Sequence, residues 1–266
     1  RFVQQVVEGT ANILILADEG KLITARDRLG RIPVQIGKSE DGYCASFEEF
    51  AFTKLGFEKV RELGPGEIVE LTSDGETQLS PPGDQMRRCA FLWSYYGYPN
   101  SNYEGINVEV MRYRNGAIMA RDEALNGTLP DGDYIAGIPD SGVPHAMGYA
   151  HECGIEYARP FVKYTPTWPR SFTPTNQETR NLVAKMKLIT HKDMLNGKRI
   201  CFCDDSIVRG TQLRDSSREL RADGAKEVHM RIACPPLIYG CPFVNFTSSK
   251  SDMELLTRRV IEKLEG

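Results

Sequence analysis

The stretch from Ile200 to Arg214 reads "ICFCDDSIVRGTQLR" and joins a strand, a turn and a helix in one run. An apolar run of strand character ends in two adjacent aspartates. A short turn containing Gly210 follows, and "TQLRDSSRELRADG" then has the pattern of a helix closed by Gly224. This order puts Ser206, Ile207, Val208, Arg209, Gly210 and Thr211 at the carboxyl end of a strand and the amino end of a helix. Open α/β sheets bind ligands at such points, where backbone N–H groups and the helix dipole favour an anion. Gly210 lets the backbone approach a ligand closely. Thr211 is expected both to cap the helix and to offer its hydroxyl to a phosphate oxygen. The turn is not a Walker A loop, because the lysine of that pattern is missing.

Asp204 and Asp205 would repel a phosphate, so they are expected to face another part of the ligand. Vicinal hydroxyls can donate to carboxylates, and magnesium takes oxygen ligands. A ribose carrying a phosphate at one end and a metal-bound diphosphate at the other meets both demands. An aspartate pair that merely caps a helix would account for the two acids equally well, but not for the D-D-S-x-V-x-G-T string as a whole.

Outward from this stretch, apolar runs alternate with helical patterns from residue 85 onward, the signature of a parallel α/β sheet. "NVEVMRYRNGAIMARDEAL" reads as a helix, and "DYIAGIPDSG" as a strand ending in a loop. "VPHAMGYAHECG" reads as a helix with Val143, Ala146, Met147 and Ala150 on one face and Gly154 as its stop. "EVHMRIA" reads as a further strand. Residues 11–80 read instead as antiparallel strands, with hairpins around Asp18–Gly20 and around Asp74–Gly75. Between the hairpins, "SFEEFAFTKLGF" has the look of a short helix. The Pro/Gly cluster "SPPGD" divides the two patterns, so the expected domains are 1–84 and 85–266.

The whole chain has 266 residues and a formal net charge of -3, without the basic stripe that a nucleic-acid groove needs. No apolar run approaches the roughly 18 residues of a membrane span. Seven cysteines, an odd number and mostly scattered, argue against a secreted disulfide framework and for a reducing, cytoplasmic setting. The chain opens at Arg1 without an initiator methionine, and is expected to be a piece of a longer protein.

The string "CFCDDSIVRGTQLRD" resembles the phosphoribosyl-pyrophosphate (PRPP) loop of phosphoribosyltransferases, and its core is similar to that of the glutamine amidophosphoribosyltransferase family. Further matches follow in that family's order. "RDRLGRIPVQIG" and "LGPGEIVEL" resemble the distal half of its glutaminase domain, and "CAFLWSYYGYPNSNYEGINV" the entry to its transferase domain. "GIPDSG" resembles its pyrophosphate loop, "RSFTPTNQETRNLVAKMKL" its closing loop and "ACPPLIYGC" a segment after its central sheet. The resemblance implies a type I phosphoribosyltransferase fold, a parallel sheet flanked by helices. The distal half of an Ntn-type glutaminase α+β domain would precede it. It also implies a reaction in which PRPP and glutamine-derived ammonia give 5-phosphoribosylamine and pyrophosphate, a committed step of purine biosynthesis.

By the same resemblance, Asp204 and Asp205 take ribose hydroxyls and magnesium, and Ser206 to Thr211 cradle the 5-phosphate. Ser141 is the magnesium-associated residue of the pyrophosphate loop, flanked by Asp140 and Gly142. Lys187 neutralises the diphosphate, and Arg170 opens the closing loop. Cys89 and Cys241 match iron–sulfur ligands of a cluster-containing branch, whose other two cysteines would lie beyond Gly266; lone cysteines are otherwise small core residues. A homo-oligomer and purine nucleotide feedback inhibitors are further implications. "RDRLGRIPVQIG" and "YYGYPNS" depart from the family's usual R-D-P-x-G-x-R-P and Y-F-x-R-P-D-S, which points to a divergent, bacterial-type branch. The family's amino-terminal cysteine nucleophile has no counterpart at Arg1, so glutamine hydrolysis by this stretch alone is not expected.

Two other functions fit part of the pattern. A base-salvage phosphoribosyltransferase would not need the glutaminase-like strands, and a PRPP-sensing regulator would not need Lys187, Asp204 and Asp205 together. The four histidines show no metal spacing, and His145 is expected to be solvated or capping. Cys201 and Cys203 share one face of a strand and are expected in the core.

Overall fold

The structure is a computed structural model, and it describes residues 1–164, 188–241, 243 and 251–265. By their contacts these residues form two units. The first holds 1–109 with Gly240, Cys241 and Phe243, and the second holds the described residues of 110–239 with 251–265. The stretch 85–109, grouped with the second domain on sequence, lies in the first unit.

Both expected hairpins form in the first unit. Ile13–Leu16 pairs antiparallel with Leu22–Ala25, which pairs with Ile68–Leu71, which pairs with Glu76–Ser80. Gly42–Ser46, Gln35–Ser39 and Glu58–Glu62 make a second antiparallel sheet. Ile36 beside Val34 and Leu63 meets Val69 and Leu71 of the first sheet in one buried cluster, so each sheet covers a face of the other. The "RDRLGRIP" string serves this packing. The Arg26 guanidinium is 1% exposed and donates to the carbonyls of Gly30 (2.8 Å) and Ile32 (3.1 Å) and to Glu104 Oε1 (2.7 Å). Asp27 accepts from the N–H groups of Leu29 (3.0 Å) and Arg31 (3.2 Å), closing the turn between them.

The second unit is built on a parallel sheet in which Tyr134–Gly137 and Glu227–Ile232 flank Arg199–Asp204. The central strand shows why it is buried on both faces. Ile200 and Phe202 point into a cluster with Ala136, Phe161 and Leu220, whereas Cys201 and Cys203 point into one with Ala120, Ala146 and Tyr149. The helix Thr211–Ala222 supplies Leu220 to the first cluster, and the helices Val108–Asn126 and Gly142–Cys153 supply the second. The cysteines are therefore packed as expected. The helix Gly142–Cys153 stops at left-handed Gly154 as expected, but its buried face is rotated from the expected one. Met147 is exposed, and His145, expected in solvent or at a cap, is fully buried beside Ala146 and Tyr149. Tyr149 is large enough to take the core position, and period alone does not separate neighbouring stripes of a short helix.

Candidate active site

Parallel pairing brings two loops to the same end of the sheet. Gly137 stands opposite Cys203, so the chain leaves the first strand through Ile138 to Ser141 beside Asp204 and Asp205. Ile138 N donates to the Cys203 carbonyl (2.9 Å), and the helix begins at Gly142. A side chain at Gly142 would put Cβ 2.4 Å from the Cys203 carbonyl oxygen, so only glycine allows this approach.

At the junction Ser141 Oγ donates to Asp205 Oδ2 (2.5 Å), and Ser206 Oγ donates to Asp205 Oδ1 (2.5 Å). Asp205 is 5% exposed, and its own N–H donates to Asp204 Oδ1 (2.9 Å). Burial, and then the Asp205 carboxylate beside it, push the Asp204 carboxyl up to about 8. Two acids held this closely, one taking two hydroxyl donors and the other a backbone N–H, suit sugar hydroxyls or a hard cation.

The turn beyond them presents donors. The backbone N–H groups of Ser206, Ile207, Val208 and Gly210 meet no acceptor among the described residues, and they sit at the amino end of a 12-residue helix. Such a concavity of N–H groups attracts an anion. Left-handed Gly210 (φ 75°) is the cap residue and Thr211 the first residue of the helix. Thr211 is thus not the cap expected from sequence, since its backbone is already helical.

The structure brings Ser141, Gly142, Asp204, Asp205 and Ser206 together and sets Ile207 to Thr211 next in the chain. Asp140 is turned outward and pairs with Lys163 Nζ (2.5 Å). Lys163 was missed on sequence; its only signal was a lysine closing the apolar run of the strand Phe161–Lys163. Arg170 and Lys187 lie outside the described residues. In the first unit Cys89 is half-buried and Cys241 exposed, and no disulfide joins any of the seven cysteines. Burial raises the Cys89 thiol, backbone N–H groups oppose this, and Cys241 adds to the rise.

No protein-family model matches the chain. The amidophosphoribosyltransferase of Pyrococcus horikoshii is 36% identical over 240 residues, which cover 90% of this chain and 51% of that protein. The amidophosphoribosyltransferase of Methanocaldococcus jannaschii is 35% identical over 262 residues, covering 92% of this chain and 54% of that protein. The solved glutamine PRPP amidotransferase from B. subtilis, complexed with ADP and GMP, superposes with a TM-score of 0.83 at 31% identity. That match covers 98% of this chain and 56% of the other. The chain spans about half the length of the curated relatives it matches. Along nearly all of its length, in sequence and in fold, the chain is thus similar to about half of an amidophosphoribosyltransferase.

Proposed function

We propose that the chain carries the phosphoribosyl-transfer site of an amidophosphoribosyltransferase, with its first unit the distal part of a glutaminase domain. The Ser141–Asp205 contact carries this reading, because it puts a pair of acids between a pyrophosphate-type loop and a turn of open N–H groups. PRPP offers a group to each: its 5-phosphate to Ser206–Thr211, its ribose hydroxyls to Asp204 and Asp205, and its diphosphate to the loop Asp140–Gly142. Lys163 and, outside the described residues, Lys187 and Arg170 would supply cations for the diphosphate.

Magnesium fits the donor set, since two crowded carboxylates and a serine hydroxyl are hard oxygen ligands and a cation would relieve the repulsion that raises Asp204. No three His, Cys, Asp or Glu side chains gather into a metal site among the described residues, so Asp204, Asp205 and Ser141 would leave the remaining positions to substrate and water. Bound there, the ion would neutralise charge on the departing diphosphate. The residues themselves orient the ribose so that the ammonia lone pair meets the anomeric carbon as the bond to pyrophosphate breaks. The amine then loses a proton to give 5-phosphoribosylamine.

Cys89 and Cys241 would supply two of the four ligands that an iron–sulfur cluster takes, and no step is assigned to a cluster. Purine nucleotides are proposed as feedback ligands on the strength of the ADP and GMP held by the B. subtilis protein.

Ammonia tests the transferase reading directly. With PRPP, magnesium and ammonium salts, the purified chain should release pyrophosphate, faster as pH rises because only neutral ammonia has a free lone pair. A folded chain that neither binds PRPP nor releases pyrophosphate would overturn the assignment.

A further inference from the structure

The phosphate-type turn is held from behind by the last segment of the second unit. Leu256 N donates to the Val208 carbonyl (2.9 Å), and Arg259 Nη2 donates to the Arg209 carbonyl (2.6 Å). The other guanidinium nitrogen, Nη1, is tied to the Glu254 carbonyl (3.0 Å), which fixes Arg259 against the turn Asp252–Glu254 that precedes its helix Leu256–Glu265. Glu254 Oε2 in turn accepts from Arg209 Nη2 (3.2 Å). Leu256 also closes on the turn, with Cδ2 2.9 Å from where a side chain at Gly210 would start.

These contacts fall on carbonyls, and that selects the direction of the N–H groups. In a planar trans peptide the C=O and the following N–H point opposite ways. A grip on the Val208 carbonyl therefore aims the Arg209 N–H away from the segment 252–259, and a grip on the Arg209 carbonyl does the same for Gly210. Without those grips each peptide plane could rotate, which a left-handed glycine permits at little cost.

We propose that Arg259 is a positioning residue for phosphate recognition. It holds the Arg209–Gly210 peptide so that its N–H faces the bound phosphate, and Glu254 supports it through the Arg209 side chain. The inference rests on the transferase reading of the turn and adds to it a role for a helix outside the PRPP motifs.

Calorimetric titration of the purified chain with two probes tests it: ribose 5-phosphate, which has only the phosphate end, and inorganic pyrophosphate with magnesium, which has only the other. Arg259→Gln should weaken ribose 5-phosphate by about tenfold, or about 1.4 kcal/mol, and leave pyrophosphate unchanged. Arg259→Lys, which keeps a charged donor within reach of the carbonyl, should recover most of the loss. Unchanged ribose 5-phosphate affinity in Arg259→Gln, or equal weakening of both probes, would overturn the role. Should that variant fail to fold, Glu254→Gln decides in the same way: a loss confined to ribose 5-phosphate supports the proposal, and no loss overturns it. A folded wild-type chain that binds neither probe would overturn the transferase reading and this inference together; a wild type that binds both, with variants unaffected, overturns this inference alone.

Discussion

Ser141 Oγ lies 2.5 Å from Asp205 Oδ2 and donates to it, although the two residues are 64 positions apart in the chain. The register that sets Gly137 opposite Cys203 makes the contact possible, because both strands then end at the same level. It couples the pyrophosphate-type loop to the paired acids, so a change in either should be felt in the other.

The paired acids come first among the expected outcomes. Asp204→Asn together with Asp205→Asn should abolish magnesium-dependent PRPP binding while leaving the protein folded. A charge-assisted hydrogen bond from each carboxylate to the ligand is worth about 1.5–3 kcal/mol, and the neutral amides also remove the crowding that raises Asp204. Calorimetry with and without magnesium reads the effect. Unaltered PRPP affinity in the double variant would remove both residues from the site.

Stability should fall with rising pH in the magnesium-free protein. The Asp204 carboxyl is pushed up to about 8 by burial and by Asp205, whereas an unfolded aspartate titrates near about 3.9. Between those values the folded chain holds more protons than the unfolded one, so raising the pH favours unfolding across that window and no further above it. The titration belongs to the pair of acids as a unit. Thermal midpoints from pH about 4 to about 8 should therefore decline more steeply in wild type than in Asp204→Asn. Equal slopes in the two proteins would contradict the raised carboxyl.

The cysteines should separate by reactivity. Cys241 is exposed and Cys89 half-buried, while Cys201 and Cys203 are fully buried. Burial pushes the Cys201 thiol up to about 12 and the Cys203 thiol well above its ordinary range. Since only the thiolate attacks, iodoacetamide at about pH 8 should label Cys241 first, Cys89 slowly, and the two strand cysteines only after denaturation. Peptide mapping that found Cys201 labelled as fast as Cys241 would contradict this packing.

Much of the site could be read from residue order alone. The strand, the acid pair and the helix of 199–222 are consecutive, and their pattern is local: an apolar run buried on both faces in the strand, a turn glycine, then helical periodicity. The hairpins at Asp18–Gly20 and Asp74–Gly75 were legible for the same reason, since a tight turn and its flanking strands are near neighbours in the chain. Where a local rule had two solutions it failed. Thr211 was expected as the cap, but Gly210 holds that place, because a left-handed glycine can end the loop one residue earlier. His145 was expected near solvent, but the side of its short helix that carries it packs closely against Gly116 of the helix Val108–Asn126, and a helix–helix contact of that kind is not written in the local pattern.

Residue order alone carries the α/β grain of the second unit, the antiparallel grain of the first, the resemblance to amidophosphoribosyltransferases, and the residues that stand at the strand end. Packing in three dimensions sets which separate segments complete that site: Ser141 against Asp205, Lys163 against Asp140, and Glu254 with Arg259 behind the turn at Val208–Gly210. The physical reason is distance along the chain. A turn or a helix is set by neighbours whose preferences are written side by side, whereas a contact across 50 or 64 positions depends on the register of a parallel sheet and on the helices packed against it.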